Sequence, residues 1–450
     1  MQGFTQVEGI NFDETFMPIA KLSLLCTILA LAAELNLEVH QMDVKSTYLH
    51  GKLEEEIYME PPPGFNIPED MVLKLNKAVY RTKQGSHVWY KNVKAELERM
   101  GYNRTEADHV VFIHYRDSVV SIIVLYINNF TLVCEDINII LHDKEALKKA
   151  YNMTNLHELT YILGMHIKWD HKAGWIELSQ EHYIEDILEH YSKSDVRSIP
   201  LCSPNKHLSK LTTPEIDVKS FQCTLGTIMY PMLGTWPDLA YTVGALRRHA
   251  AMPGDEHQWA LNWVFCYLWV MKDWHLVYQC STPEGLMLTR YADTDWANDL
   301  GDCKSTSGYV FKLAGGAISW SSKKQPSIAL LSTEAKHIAG AHATKELVWL
   351  QHLFSKVGLP NNNPIVLLMD NQSAIMIAKN PQFHDWTKHI KVQYHFIYDK
   401  IEQGELELEY IPTKEQVADV MTKALNWEKH NAFAKEMGVH HPAWGGVLGS

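Results

Sequence analysis

A basic excess is missing from this chain: its 450 residues carry 41 Lys and Arg against 53 Asp and Glu, a formal net charge of −12. That excludes a generally basic nucleic-acid coat protein, while leaving room for a local basic channel. Cysteine is sparse as well. The seven (Cys26, Cys134, Cys202, Cys223, Cys266, Cys280, Cys303) are scattered, odd in number and never in a C-x-x-C pair. This argues against a disulfide framework and a zinc site, and makes a reducing compartment, cytoplasmic or nuclear, the expectation. Long apolar runs are lacking too: Ser121 to Ile127 and Trp263 to Met271 fall well short of the roughly 18 residues a bilayer span needs. Met1 to Phe12 shows no charged segment followed by an apolar one, so no secretory leader and no membrane are expected. No internal period, Gly/Ser linker or long like-charge run is visible, which leaves proline clusters and changes of rhythm to mark boundaries.

What is present is globular in composition, with 46% hydrophobic and 21% charged residues, and long enough for two to four units at roughly 150 residues per domain. Up to about residue 200, helical patterns (Leu22 to Glu34, His87 to Met100, Asp143 to Tyr151, Tyr183 to Tyr191) alternate with β-rich runs (Val39 to Val44, Val110 to Tyr115, Val119 to Ile127, Thr131 to Cys134). Pro200, Pro204 and Pro214 mark a hinge into a helical stretch from about Ser220 to Met271. Beyond Ser281-Thr282-Pro283-Glu284-Gly285 come three strands (Leu286 to Ala292, Gly308 to Leu313, Ala317 to Trp320), a helix from Ser332 to Val357, the strand Ile365 to Met369 and a helix opening at Asn371. The expected domains are 1–200, 201–285 and 286–428, with a tail at 429–450.

Acids at strand ends are the chemically informative residues, because the strand fixes the backbone while the carboxylate projects into a cleft. Asp293 and Asp370 each close an apolar run, Glu334 opens the long helix, and Asp419 follows Thr413-x-x-Gln416, a capping-box pattern. Taken singly, each is an ordinary cap or surface charge. As a set they match what a two-metal phosphodiester centre requires: hard oxygen ligands for Mg²⁺ (or Mn²⁺), with ions roughly 3.5 to 4 Å apart. Asp295 and Asp299, close to Asp293, are expected to be structural or solvent-facing. In the first half Asp43 ends a similar run, and Asn128-Asn129 sits between two β-rich runs as a two-residue hairpin turn, electrically neutral.

Together these strings resemble the reverse transcriptase and RNase H region of a copia-type retrotransposon Pol polyprotein. The carrying segments are Phe16-Met17-Pro18-Ile19-Ala20-Lys21, Gln41-Met42-Asp43-Val44-Lys45, Glu56-Ile57-Tyr58-Met59-Glu60 with Pro62-Pro63-Gly64-Phe65, and Trp236-Pro237-Asp238-Leu239-Ala240-Tyr241. Further on they are Ser305-Thr306-Ser307-Gly308-Tyr309, Ala317-Ile318-Ser319-Trp320 with Ser322-Lys323-Lys324-Gln325-Pro326, Leu331-Ser332-Thr333-Glu334-Ala335, Asp370-Asn371-Gln372-Ser373-Ala374, and Ala418-Asp419 before Thr422-Lys423-Ala424-Leu425. Each is short, but their common order covers nearly the whole chain. The resemblance implies an α+β polymerase palm and fingers, a helical connection and an α/β RNase H-like domain. It implies that Asp43 is a polymerase metal ligand, that Tyr48 and Gln84 belong to the nucleotide pocket, and that Asp293, Glu334, Asp370 and Asp419 are both the catalytic and the metal-binding RNase H acids. The implied partner is an RNA:DNA hybrid or an RNA template.

Departures from the family pattern matter as much. Where the family has YVDD, this chain reads Tyr126-Ile127-Asn128-Asn129, so Asn128 and Asn129 replace two carboxylates with amides. At roughly 4 kcal/mol per unit charge at about 4 Å and an effective dielectric of about 20, two lost charges remove of order 8 kcal/mol of gross attraction for each unit of ion charge. About 1.4 kcal/mol is already tenfold in rate, so the polymerase is expected to be inactive. Thr82 to Tyr90 loses an Arg and a Pro of the family pattern, TRPD reads Thr235-Trp236-Pro237-Asp238, and the chain is expected to lack upstream basic residues of the fingers. Lys336-His337 stand where the family has Glu-Tyr, putting a cation two positions beyond Glu334, a helical spacing at which the two do not face each other. Two readings stand. One is an enzyme that still cuts RNA in a hybrid through its four acids; the other is an inactive transposon remnant that binds nucleic acid or a protein. Lys323-Lys324 beside Trp320 is a candidate phosphate contact, although such a pair is more often a solvated turn. The resemblance makes His389, with His384 and His395 near it, a candidate for product release, against the commoner reading of a surface or packing histidine, while Trp259, Trp263 and Met271 read as packing residues.

Overall fold

The run Leu22–Leu35 forms helix α1, and every residue from Leu24 to Ala33 is buried, as its apolarity on all faces requires. The computed structural model describes residues 3–62, 64, 68, 71–117, 119–191, 216–280, 288–299, 301–359, 364–379 and 391–441. The chain divides into two units that cut across sequence order: one holds 1–21, 37–159 and 352–359, the other 22–36, 160–351 and 360–450. Helix α1 belongs to the second, although it precedes the strands of the first. A helix apolar all round needs cover on more than one side, and sheets of the second unit supply it. Burying Leu24, Leu25, Ile28, Leu29 and Leu31 contributes about 1.5 to 3 kcal/mol each.

The first unit contains β1 (Glu38–Val44), the pair β2 (Lys52–Met59) and β3 (Leu73–Lys77), α2 (Gly85–Arg99), β4 (Asn103–Arg104), β5 (Val111–Arg116), β6 (Val119–Tyr126), β7 (Asn129–Cys134), α3 (Ile137–Ala150) and β8 (Met153–Glu158). Its main sheet is antiparallel throughout, in the order β4-β5-β6-β7-β1-β8. The β6–β7 hairpin differs from the expected one by a residue. Tyr126 pairs with Asn129, so the turn residues are Ile127 and Asn128 rather than Asn128 and Asn129. Ile127 takes φ 55°, a left-handed conformation that β-branched residues avoid. Its carbonyl accepts a 2.7 Å bond from Trp89 Nε1, which holds the turn.

The second unit continues with β9 (Tyr161–Ile162), β10 (Met165–Asp170), β11 (Trp175–Ser179), α4 (Glu181–His190), α5 (Val218–Gly234), α6 (Ala240–Arg247), α7 (Asp255–Met271) and β12 (His275–Gln279). Then follow β13 (Thr289–Asp295), β14 (Thr306–Leu313), β15 (Gly316–Lys324), α8 (Ser332–Lys356, of which the residues from His352 onward are counted in the first unit), β16 (Ile365–Met369), α9 (Gln372–Lys379), α10 (Lys391–Glu402), β17 (Leu406–Tyr410), α11 (Trp427–Glu436) and β18 (Val439–His440). One sheet is antiparallel, β18-β12-β11-β10-β9; periodicity along the chain does not reveal its strands, which are short and polar on one face. The other, β15-β14-β13-β16-β17, is mixed: β13, β14 and β15 are antiparallel, and β16 and β17 run parallel to β13. Parallel neighbours need a crossover, which α8 provides before β16, and α9 and α10 before β17. A continuous core of Ile184, Phe221, Trp236, Leu246, Phe265, Val310, Met421 and Phe433 joins helices α4 to α7 and α11 to this mixed sheet. Met271 is buried there as expected, whereas Trp259 is 44% exposed and packs on Trp263 with ring centroids 4.7 Å apart. Among the described residues no helix is long and apolar enough to cross a membrane.

Candidate functional site

Asp293 lies within β13 rather than just past its end, and Asp370 directly follows β16, the parallel neighbour of β13. The two carboxylates converge on one cation. Lys336 Nζ, from the first turns of α8, lies 2.8 Å from Asp293 Oδ1 and also donates to Asp370 Oδ1. The remaining oxygens are held as well: Thr422 Oγ1 donates to Asp293 Oδ2 at 2.7 Å, and Thr413 Oγ1 to Asp370 Oδ2 at 3.2 Å. Burial opposes the charge on Asp293, yet Lys336 beside it keeps its carboxyl below the ordinary range. Lys336 is raised in turn, burial being outweighed by Asp293 and Asp370.

Asp419 sits in the 3₁₀ turn Val417–Met421, its side chain fully buried. Lys423 Nζ is 2.8 Å from its Oδ1 and Lys429 Nζ 2.6 Å from its Oδ2. Burial, followed by the negative charge of nearby Asp293, raises the Asp419 carboxyl despite those two lysines. The capping box expected at Thr413 does not form. Gln416 caps the 3₁₀ turn itself, accepting from Ala418 N at 3.3 Å, and its Nε2 donates to Ala292 O at 3.1 Å. Glu334 is buried at the start of α8, where its Oε2 accepts the Leu330 amide at 2.8 Å.

Gly308 explains how the Asp419 turn reaches the sheet. It lies opposite Asp293 in the β13–β14 ladder, and a Cβ there would stand 2.5 Å from Met421 Cβ and 2.8 Å from Thr422 Cγ2. Only a residue without a side chain allows that approach. Gln325 ties the same strand to α8, donating to Ser307 Oγ and to Ala335 O, both at 2.9 Å.

Divalent metal does not fit this arrangement. Both oxygens of Asp293 and Asp370, one of Asp419 and one of Glu334 already carry protein donors, and an ammonium stands between the two strand acids; the other Asp419 oxygen, Oδ1, accepts no hydrogen bond among the described residues but has the Lys423 ammonium 2.8 Å away. Formally, Lys336, Lys423 and Lys429 leave the four acids a single uncompensated negative charge, far short of what paired divalent ions need. Among the described residues, no group of three or more His, Cys, Asp and Glu side chains has metal-holding geometry. From spacing alone Lys336 does not face Glu334; what stays hidden along the chain is that it reaches acids on two other elements. A lysine on the same helix turn as a candidate ligand is the signal that points to it.

At the other candidate centre, Asp43 pairs across β1 and β7 with Asn129. The side-chain amide of Asn128 donates to Asp43 Oδ1, while Gln41 Nε2 donates to Asn129 Oδ1 at 2.8 Å. Burial raises the Asp43 carboxyl and the Asn128 amide partly offsets it. Tyr48 packs edge-on against Tyr80 with centroids 4.8 Å apart and accepts from Ser86 Oγ at 3.4 Å. Gln84 is fully buried; its Oε1 accepts from Gln6 at 3.1 Å and its Nε2 donates to Asn11 O at 3.0 Å.

Of the other candidates, Lys324 is engaged by Asp299 and lies 2.8 Å from Asp302, whereas Lys323 is exposed. Trp320 Nε1 donates to Met232 O at 3.0 Å. Asp299 is structural, as expected, accepting from Lys324 and from Gly301 N. His384 and His389 lie outside the described residues, and His395 is on α10.

A family profile described as reverse transcriptase (RNA-dependent DNA polymerase) matches residues 1–202, which places that segment in the reverse transcriptase class. The Pol polyprotein of transposon TNT 1-94 from Nicotiana tabacum is 37% identical, covering 98% of this chain and 34% of that protein. That of transposon RE2 from Arabidopsis thaliana is 32% identical over 99% of this chain and 31% of its own length. The chain belongs to the copia-type retrotransposon Pol polyproteins and spans about a third of the length of the curated relatives it matches. Among solved structures it is similar to LC11-RNase H1 isolated from compost (18% identity, 30% of this chain and 91% of that one, TM-score 0.24). It is also similar to a foamy viral protease–reverse transcriptase in complex with double-stranded DNA (11% identity, 84% and 59%, TM-score 0.18).

Proposed function

We propose that this chain is a reverse transcriptase/RNase H protein that binds an RNA template or an RNA:DNA hybrid without carrying out metal-assisted chemistry at either carboxylate centre. The observation that carries the reading is Lys336, whose ammonium joins Asp293 to Asp370 where paired cations would be needed. At the other centre the amide of Asn128 on Asp43 supports the same conclusion for polymerisation. In this reading the first unit is the palm and fingers remnant, and the mixed sheet with α8 is the RNase H-like part. Binding rests on phosphate contacts and is accordingly salt-dependent.

The convergence of Asp293, Asp370 and Asp419 favours a second reading, residual cleavage of the RNA strand of a hybrid. One experiment separates them: labelled hybrid incubated with the purified chain and millimolar Mg²⁺ or Mn²⁺, with binding followed by anisotropy and cleavage by gel. Retained binding with intact RNA supports the proposal. Cleavage that disappears in Asp370→Asn overturns it in favour of the second reading.

A further inference from the structure

We infer that Lys336 is a tethered substitute for a divalent cation: its ammonium holds Asp293 and Asp370 together, and removing it turns the centre into one that takes up Mg²⁺ or Mn²⁺. The inference rests on the proposed absence of metal chemistry, and deepens it by naming the residue responsible.

Asp293 is 1% exposed, so burial opposes its charge, and the Lys336 ammonium 2.8 Å away favours it. Two buried carboxylates meeting at one point repel unless a cation stands between them. Lys336 is positioned for that role by its backbone, since α8 begins at Ser332 and Gln325 fixes its first turns to β14 through Ala335 O. Lysine presents one compact charge on a flexible stem, so it satisfies two carboxylates from separate strands without the fixed geometry a metal demands. A single ammonium supplies one positive charge where an ion supplies two. The site is thus held together but polarises nothing, and the ion's usual service to a reacting phosphate is absent.

The neighbouring donors show what removal would leave. Thr422 and Thr413 would still orient Asp293 and Asp370, and Asp419, whose carboxyl feels the charge of Asp293, would remain beside them. Loss of Lys336 would leave the buried pair uncompensated, and a hard cation is the most effective replacement.

The test compares the wild-type chain with Lys336→Gln, and with Lys336→Gln/Asp370→Asn, by thermal unfolding and by Mn²⁺ binding through water-proton relaxation. Wild type should show a Tm insensitive to millimolar Mg²⁺ or Mn²⁺ and no specific Mn²⁺ signal. Lys336→Gln should lose roughly 5 to 10 °C without metal, recover much of it on adding Mn²⁺, and bind Mn²⁺. The double variant should be metal-insensitive again, because the repulsion is gone. If Lys336→Gln folds only when Mn²⁺ is present, that supports the inference equally. Mn²⁺ binding by wild type as strong as by Lys336→Gln would overturn it, as would a Lys336→Gln protein that metal neither stabilises nor binds. Hybrid cleavage by a wild-type chain that ignores Mn²⁺ in these assays would sink the proposed function and leave the role of Lys336 intact. Hybrid binding without cleavage, combined with a metal-blind Lys336→Gln, would do the reverse.

Discussion

Asn128 donates its side-chain amide to Asp43, so the carboxylate on β1 beside the hairpin tip faces a neutral donor where the family pattern has an acid. Restoring charge there has a predictable consequence. Asn128→Asp puts a second carboxylate beside Asp43, and like charges at about 4 Å cost roughly 1 kcal/mol in water and up to about 4 kcal/mol nearer the interior. Because Asp43 is only partly buried, a loss of about 1 kcal/mol is expected in urea unfolding at neutral pH, reduced by Mg²⁺. Wild-type stability should be indifferent to the ion at this site, and primer extension on an RNA template should be absent. Robust extension by the wild-type chain would contradict this.

Two glycines give opposite expectations. Gly308→Ala forces a Cβ against Met421 and Thr422 and pushes the Asp419 turn off the sheet, for a loss of about 1 to 3 kcal/mol. Gly226, inside α5 with nothing within 4 Å of where a methyl would stand, should gain about 0.5 to 1 kcal/mol on substitution by Ala. Denaturant midpoints of the two variants, moving apart from wild type in opposite directions, check the packing at the acid centre directly.

Acid sensitivity should be traceable to histidine. Burial, reinforced by Lys323 and Lys345, pushes the imidazole of His342 from its ordinary 6.5 down to about 4, and burial with His257 does the same to His249. The unfolded chain binds protons at these residues more readily than the folded one. Stability is therefore fully present above pH 6.5 and falls as pH drops from there towards 4. His342, packed at 5.2 Å from Tyr309, can be replaced by Phe; unfolding should then take up fewer protons across that window, by up to about one. An unchanged pH slope in His342→Phe would show that the imidazole is not the source.

Much of this architecture is legible along the chain where periodicity is strong. The strand expected at Ile365 to Met369 is observed at those bounds, and the helix expected from Ser332 to Val357 ends one residue earlier. Asp370 and Glu334 are likewise legible as strand-end and helix-start positions, whereas Asp293 falls inside β13 and Asp419 in a 3₁₀ turn. Three things are not legible. The destination of α1 depends on which sheet covers an all-apolar helix, a tertiary matter that no local pattern encodes. The hairpin turn falls on Ile127-Asn128 because Trp89 and the β6–β7 register override the turn preference of paired asparagines. The partnership of Lys336 is invisible because its acids lie 43 and 34 positions away, on strands that only the folded sheet makes neighbours.

The most direct test of the central claim is a crystal of the wild-type chain soaked in Mn²⁺ and measured for anomalous scattering. The account predicts no anomalous peak between Asp293 and Asp370, with Lys336 density bridging the two carboxylates. A bound manganese in that position, with the lysine turned away, would contradict it.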